Sequence, residues 1–551
     1  MHRSDNIQRL QTEEFDLCII GGGASGAGCA LDAALRGLKV ALVEKTDFAA
    51  ETSSRSTKLV HGGVRYLEQA FKKLDFAQLR QVRHGLEERH IVLQNAPHLA
   101  HPLGLITPVF SWWEGLYFYL GLCLYDWFAA RKDDLPKSRW LSKKAVLQLM
   151  PGISPNIHSA VLYYDGQLDD ARYCLSLIQS AADAGAVVAN YLEVVDFQKD
   201  SAGGIMAATI ENKIKTEHAP RFTIKAKHFL NCCGPYADPV RHLANAQLPP
   251  RINPSKGVHL VLPLRYFGSQ YAMLIPKTKD GRVIFAIPFE ASLLLGTTDQ
   301  PSGDLLHEPL LQSEEVDFLI ETLQPFVAEQ IDKTAVKAGF GGLRPLVAST
   351  KASASTANAT KSLLRDHEVE FDNVSGLISL LGGKWTTYRL MAKDAIDFVC
   401  RRMGAEIACS TATHLLVGAK DWKNDDWKKI AAGYHLMEDV SQHLAAKYGS
   451  RAIQVADLVR QEPAWGERII AGYPFIKAEI VFAAQTEMAL TIRDFLARRI
   501  RLESIDWEAT KAAAPVVAQL LGATLHWSAS DQEAQLEEYT TLISTFQQQA
   551  H

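Results

Sequence analysis

FDLCIIGGGASGAGCALDAALRGLKVALVE, Phe15 to Glu44, is the stretch that decides how this chain folds. Phe15–Ile20 is a short apolar run suited to a buried parallel strand, Gly21–Gly26 is a turn that ordinary side chains would not tolerate, and Ala27–Leu35 is small and helix-prone. Val40–Val43 reads as a second parallel strand. It ends at Glu44, about 20 residues on, where a dinucleotide-binding βαβ unit needs an acid for a ribose hydroxyl. Within the turn, Gly21 makes the bend, Gly23 lets the backbone approach a pyrophosphate, and Gly26 lets helix and strand pack closely, with Gly22 and Ser25 filling the remaining positions. A GxGxxG string alone is weak evidence. Strand, turn, helix, second strand and acid agree here, which favours dinucleotide binding over a glycine-rich turn in an unrelated unit.

At 551 residues the chain has room for two to four domains, by the usual domain size of roughly 100–200 residues. A formal charge of −4 gives no bulk attraction to nucleic acid, so any anion site must be local. The eight cysteines show no CxxC pairs, and only Cys232 and Cys233 are adjacent; this argues against a disulfide framework or a metal site and fits a reducing compartment. The N-terminal MHRSDNIQRLQTEE lacks the apolar core of a signal peptide and the arginine and serine content of a transit peptide. No spanning helix is expected. The nearest window, Leu116–Ala130, is too short and is interrupted by Asp126.

Outward from the first strand, the polar segment Glu51–Leu67 offers hydroxyls at Thr52, Ser53 and Ser54, backbone donors at Gly62 and Gly63, and positive charge at Lys58, His61 and Arg65. It reads either as a ligand-facing loop or as a solvated one. Phe71–Asn95 has helical apolar spacing that Pro97 ends. The aromatic-rich segment His98–Met150 admits two readings, a buried helical insertion or a face that dips into a membrane interface. Asp169 or Asp170 can cap a helix ending near Gly185. A strand over Thr223–Leu230 leads into NCCGPYAD, Asn231–Asp238, a small-residue turn around Gly234 that either returns the chain to the cofactor or is an ordinary strand-to-helix turn. Gln247–Thr298 alternates at hairpin spacing, as a mostly antiparallel sheet does. Ser313–Gln324 is helical, and Leu377–Arg389 repeats the pattern of strand, glycine turn and helix, with Gly382 and Gly383 at the helix start. Gly404–His551 reads as a separate helical domain in which the basic run Ala497–Ser504, ARRIRLES, is a solvated face and no chemistry-bearing cluster stands out.

RGLKVALVE, TSSRSTKLVHGGVRYL, YYDGQLDDAR, GRVIFAIPFE, LGTTD, GGLRPLV and GGKWTTYR occur in this order, and together they closely resemble the FAD-dependent, membrane-associated glycerol-3-phosphate dehydrogenases. The resemblance is strong over Asp16–Arg389 and continues beyond it. It implies an α/β architecture: a Rossmann-type, glutathione-reductase-like FAD domain (1–95, 156–240 and 340–403), an antiparallel-sheet substrate domain (96–155 and 241–339), and an all-α C-terminal domain (404–551). FAD is then held non-covalently by the Gly21–Gly26 turn, Glu44, Thr52, Ser53, Ser54, Lys58, His61, Gly62, Gly63, Gly234, Gly383, Lys384 and Thr386.

The implied reaction passes hydride from C2 of sn-glycerol 3-phosphate to flavin N5, giving dihydroxyacetone phosphate, with electrons going on to ubiquinone or menaquinone. Arg65, Arg344, Arg365 and Lys384 match the family's cationic clamp, which suits a phosphate monoester because guanidinium binds it in bidentate fashion; surface or structural ion pairs are the plain alternative. Tyr66 closes the pocket. His259, at a near-neutral pKa, is the expected base, beside the plain alternative of a core histidine, and Arg344 is the other expected catalytic residue. Lys256 in SKGVHLV is expected to support flavin or phosphate. The wording is nearer the mitochondrial form, yet without its transit peptide and calcium-binding extension, so a bacterial protein without calcium control is expected.

Glycerol-3-phosphate oxidase is the same-family rival, and an RNA-modifying flavoprotein with the Phe15–Glu44 signature is the rival from another class, disfavoured by the net charge. No nucleic acid and no metal are expected as partners. A homodimer is compatible with the reading. The expected location is peripheral, on the cytoplasmic face of a bacterial inner membrane, because an enzyme that reduces a lipid-soluble quinone must open toward lipid. Two contact elements are candidates: the Trp112–Phe128 aromatic stretch, and the helix after Gly383, where Arg389, Lys393, Arg401 and Arg402 accompany Leu390, Ile396, Phe398 and Val399. For the second, packing against the FAD domain is the alternative.

Overall fold

The computed structural model describes residues 1–63, 76–129, 135–214, 220–276, 278, 281–348 and 367–551, with backbone alone for 76–81. Strand β1, Glu14–Ile20, is flanked by β2, Val40–Val43, and by a long return strand, Arg221–Asn231, both parallel to it. Val187–Ala189 extends this sheet parallel to β2, and Ile378–Gly382 extends it parallel to the return strand. His367–Phe371 and the hairpin Leu192–Lys199/Ile205–Asn212 add antiparallel edges, making eight strands among the described residues. Leu17, Cys18, Ile19 and Ile20 are buried, as a strand covered on both faces requires. The helix Ala24–Leu35 packs on Tyr388–Arg402 because its residues are small: a Cβ on Gly28 would lie 2.9 Å from the Tyr388 ring.

The second sheet has ten strands among the described residues and is mostly antiparallel. Its centre of chemistry is the ladder between Ile252–Pro263 and Ala338–Val347, which pairs Ile252 with Val347 at one end and Val261 with Ala338 at the other. Leu59–Val60, Ser159–Leu168 and Ala338–Val347 all belong to this sheet, although the sequence reading put most of their residues in the FAD-domain segments. The C-terminal helices share one core with it, in which Val258, Leu260 and Leu319 meet Phe475, Phe495, Trp507 and Ile543.

Two open alternatives are decided and one expectation is corrected. His98–Met150 is not a buried helical insertion: Ala100–Val109 is a strand of the second sheet, and the helix Trp112–Ala129 buries only Gly115, Leu122 and Tyr125. Its other side carries Trp113 at 74% and Trp127 at 68% exposure, with Trp112, Tyr117 and Leu120 also exposed. The helix after Gly383 is packed inward instead, with Ile396 and Val399 buried, Arg389 bonded to Glu88 (Nε to Oε2, 2.9 Å) and Lys393 paired with Asp397 at 2.7 Å.

The corrected expectation is the basic run in the C-terminal domain, which is not a solvated face. Arg498, Arg499 and Arg501 are buried. Asp47 accepts from Arg498 Nε at 2.6 Å and from Arg499 at 2.7 and 3.0 Å, while Arg501 reaches Asp170 at 3.0 Å. These charges bolt the helical domain to the first sheet: the buried guanidinium and carboxylate groups are paired there, and removing one partner would leave the other charge buried and uncompensated. No helix among the described residues is long and apolar enough to cross a membrane.

Candidate active site

An open cleft runs along the carboxyl ends of the parallel strands, where open α/β sheets bind ligands. Gly21, Gly23, Ser25, Glu44, Thr52, Ser53, Gly234, Gly383 and Lys384 line it. Gly21 has φ +109°, and a Cβ there would stand 2.8 Å from the Cys232 carbonyl oxygen. A Cβ on Gly26 would lie 1.9 Å from the Gly21 oxygen, so helix and turn touch only because that position is glycine. Gly23 faces the cleft at the helix start, and its Cβ would meet Ser53 Oγ at 2.9 Å.

Ser53 Oγ already accepts from Ala24 N at 2.9 Å, so the first helical amide is directed at an oxygen acceptor of the kind a phosphate presents. Glu44 accepts from Gly22 N at 2.7 Å and from Thr46 N at 2.9 Å. Burial raises its pKa despite these bonds. Acid at the ribose end, amides in the middle, and Gly383 (φ +91°) with Lys384 at the far strand end form a donor set that fits a dinucleotide along its length.

Several expected cofactor contacts do not line this cleft. Ser54 is buried, and its carbonyl accepts from Lys58 Nζ and Arg501 NH2, each at 2.7 Å. Lys58 is wholly buried and pairs with Asp170 at 2.7 Å; burial lowers its pKa to about 7 against the opposing pull of that carboxylate. Gly62 donates its amide to Tyr125 Oη at 2.8 Å, on the buried side of the aromatic helix. His61 sits beside Phe285, its amide 3.4 Å from Oγ1 of the buried Thr386. Gly63 is buried with φ +85°. Arg65, Tyr66 and Arg365 lie outside the described residues.

On the second sheet Ser255, Gly257 and His259 alternate onto one face of their strand, and Arg344 is paired opposite Ser255. Gly257 makes room for the guanidinium: a Cβ there would be 2.4 Å from Arg344 NH2. Arg344 donates to Asp299 at 3.1 Å, Thr297 Oγ1 at 3.1 Å and the Thr298 carbonyl at 2.9 Å, so it is oriented from one side. His259 is buried, stacks on Phe340 with ring centres 4.9 Å apart, and contacts Thr57 Oγ1 through Nε2 at 3.0 Å. Its pKa is not near neutral as expected. Burial first, then Lys58 and Arg344, push it well below the usual histidine value, so the ring is a neutral proton acceptor. Lys256 pairs with Glu315 at 2.8 Å.

Sequence reading missed Thr57, Thr46 and the cleft-lining Tyr236 and Trp385. The hydroxyl-rich string around Thr57 was a signal, but its partner lies 202 residues away.

Residues 16–389 match the family of FAD dependent oxidoreductases, and residues 409–532 match the C-terminal domain of alpha-glycerophosphate oxidase. The chain is 39% identical to the mitochondrial glycerol-3-phosphate dehydrogenase of Bos taurus over 96% of its own length and 72% of that protein. It is 38% identical to the mitochondrial glycerol-3-phosphate dehydrogenase of Arabidopsis thaliana, over 98% and 87%. Among solved structures, the glycerol-3-phosphate dehydrogenase of Bacillus halodurans complexed with FAD superposes with a TM-score of 0.79 at 27% identity, covering 98% of this chain and 97% of that one.

Proposed function

The chain belongs to the FAD-dependent glycerol-3-phosphate dehydrogenases, and from that membership we propose how its own residues carry the reaction. The activity is oxidation of glycerol 3-phosphate to dihydroxyacetone phosphate. Membership over nearly the whole chain sets aside the RNA-modifying reading. When bound, FAD supplies the hydride acceptor at its N5.

The Gly21–Gly26 turn, Glu44, Ser53 and the Gly383–Lys384 corner hold the dinucleotide. Arg344 grips the substrate phosphate, with Lys384, Arg65 and Arg365 completing the clamp and Tyr66 closing it. His259 takes the C2 hydroxyl proton as the substrate is oxidised; its ring is unprotonated and so able to accept, although burial, Lys58 and Arg344 weaken it as a base. The observation that carries this reading is the single sheet face shared by Arg344 and His259, with Gly257 between them clearing space for the guanidinium. A phosphate-binding cation and a proton acceptor on one face are what a phosphorylated secondary alcohol requires.

Electrons then pass to a membrane quinone, and the protein rests on the lipid surface through the exposed aromatic side of Trp112–Ala129. An oxygen-reducing oxidase is the second reading, favoured by the match of residues 409–532 to an oxidase domain. Anaerobic addition of glycerol 3-phosphate should bleach the flavin absorbance, and a quinone analogue should restore it. Absence of bleaching would remove the substrate assignment; recovery only on admitting oxygen would replace quinone with oxygen.

A further inference from the structure

Among the described residues, the His259 ring has one hydrogen-bonded side-chain partner, Thr57, whose Oγ1 stands 3.0 Å from Nε2. The other ring nitrogen, Nδ1, is buried without one. Packing sets the ring's position but not its protonation: Phe340 stacks on one face, and on the other side a Cβ on Gly296 would come within 2.3 Å of Cδ2. A hydroxyl both donates and accepts, so Thr57 can satisfy Nε2 whether or not that nitrogen carries a proton. It can therefore hold the imidazole in one plane before and after proton uptake. The charged groups acting on the ring are Lys58, from the residue next to Thr57, and Arg344.

The turn that carries Thr57 is itself held from a distance. Asp170 Oδ2 accepts from Ser56 N at 3.0 Å, Ser56 Oγ at 2.8 Å and Lys58 Nζ at 2.7 Å, so one buried carboxylate ties the residues on both sides of Thr57. Arg501 of the helical domain then binds Asp170 Oδ1 at 3.0 Å and the Ser54 carbonyl at 2.7 Å.

We infer that Thr57 is a positioning residue for His259, and that the C-terminal domain fixes it in place through Arg501 and Asp170. The inference rests on the reading of His259 as the base. It gives the helical domain a part in the chemistry although none of its side chains is hydrogen-bonded to the ring.

The test uses full-length, FAD-loaded protein with Thr57→Val, Thr57→Ser and, separately, His259→Asn. Thr57→Val keeps the shape and removes the hydroxyl; it should lower kcat roughly 10- to 100-fold, the scale of a misplaced catalytic group, with KM for glycerol 3-phosphate and FAD content unchanged. Its acid limb should move to lower pH, because the protonated ring has lost an acceptor. Thr57→Ser should restore both rate and limb. If His259→Asn lowers kcat and Thr57→Val does not, the positioning role is overturned and the base survives. Full activity in His259→Asn would overturn both. Equal damage in Thr57→Val and Thr57→Ser would make Thr57 a packing residue only. Should Thr57→Val lose FAD, Thr57→Ala carries the same comparison, and loss of FAD there too would overturn the inference in favour of a cofactor contact.

Discussion

Gly23 and Arg344 mark two residue-scale demands of the site, one for absence of a side chain and one for a charge. Any Cβ at Gly23 approaches Ser53 Oγ to 2.9 Å and extends into the lined cleft, so Gly23→Val should yield protein without flavin absorbance after purification, whereas retention of full colour would remove the turn from the cofactor site. Arg344→Ala should weaken glycerol 3-phosphate binding by roughly 2–4 kcal/mol, the range for losing a buried charged hydrogen bond, read as a raised KM. An unchanged KM would leave Arg344 as a brace for Asp299 and Thr297. Both positions could be picked out as candidates from the sequence because glycine at a tight turn and arginine in a glycine-flanked string announce a local need. Thr57 and Lys58 were not: which hydroxyl meets a histidine and which lysine is buried depend on Asp170 and His259, more than a hundred residues away.

Elements with a clear period were readable for a physical reason. Leu17–Ile20 is a continuous apolar run because its strand is covered on both faces, and the Asp169 side chain accepts from Arg172 N at a helix start that its residue type announces. The Trp112–Ala129 helix defeated the same reading, since it is apolar almost all round and hydropathy does not say which side meets the second sheet. Gly115, Leu122 and Tyr125 are buried, and Phe118, Tyr119, Leu124 and Phe128 pack half-buried beside them. Trp113 and Trp127 are left outward, where indole can sit among lipid headgroups. Replacing both by Ser should reduce co-sedimentation with phospholipid vesicles at least several-fold while leaving turnover with a soluble artificial acceptor unchanged. Undiminished vesicle binding would move the lipid contact elsewhere. The loss should persist at high salt, because the lost term is apolar and unscreened.

At the scale of the whole molecule, the helical domain is joined to the nucleotide-binding sheet by buried ion pairs, and this makes acid stability a test of the architecture. Asp47, Asp169 and Glu487 are held below the usual carboxylate range: burial opposes this, and the arginines, with Lys447 at Asp169, more than reverse it. Glu308, between Arg55 and Arg493, is lowered to about 2. For an acid whose folded pKa is depressed, the stabilisation is complete above the unfolded value of roughly 4 and is lost as pH falls through the folded value. Asp494 has the opposite sign, raised by burial and by Asp47, and offsets only part of the loss. The melting temperature should therefore hold on the way down to about pH 4.5 and fall steeply between there and about pH 2. Asp47→Asn at neutral pH should reproduce the effect without acid, since it leaves Arg498 and Arg499 short of charge in a buried site, at a cost of about 3–5 kcal/mol. The exposed pair Arg460–Asp457 supplies the control, and Asp457→Asn should change stability by no more than about 0.5 kcal/mol. Equal melting temperatures for the two variants would mean that apolar packing, Trp507 and Phe546 against the second sheet, holds the domains together and that the arginines only set their register.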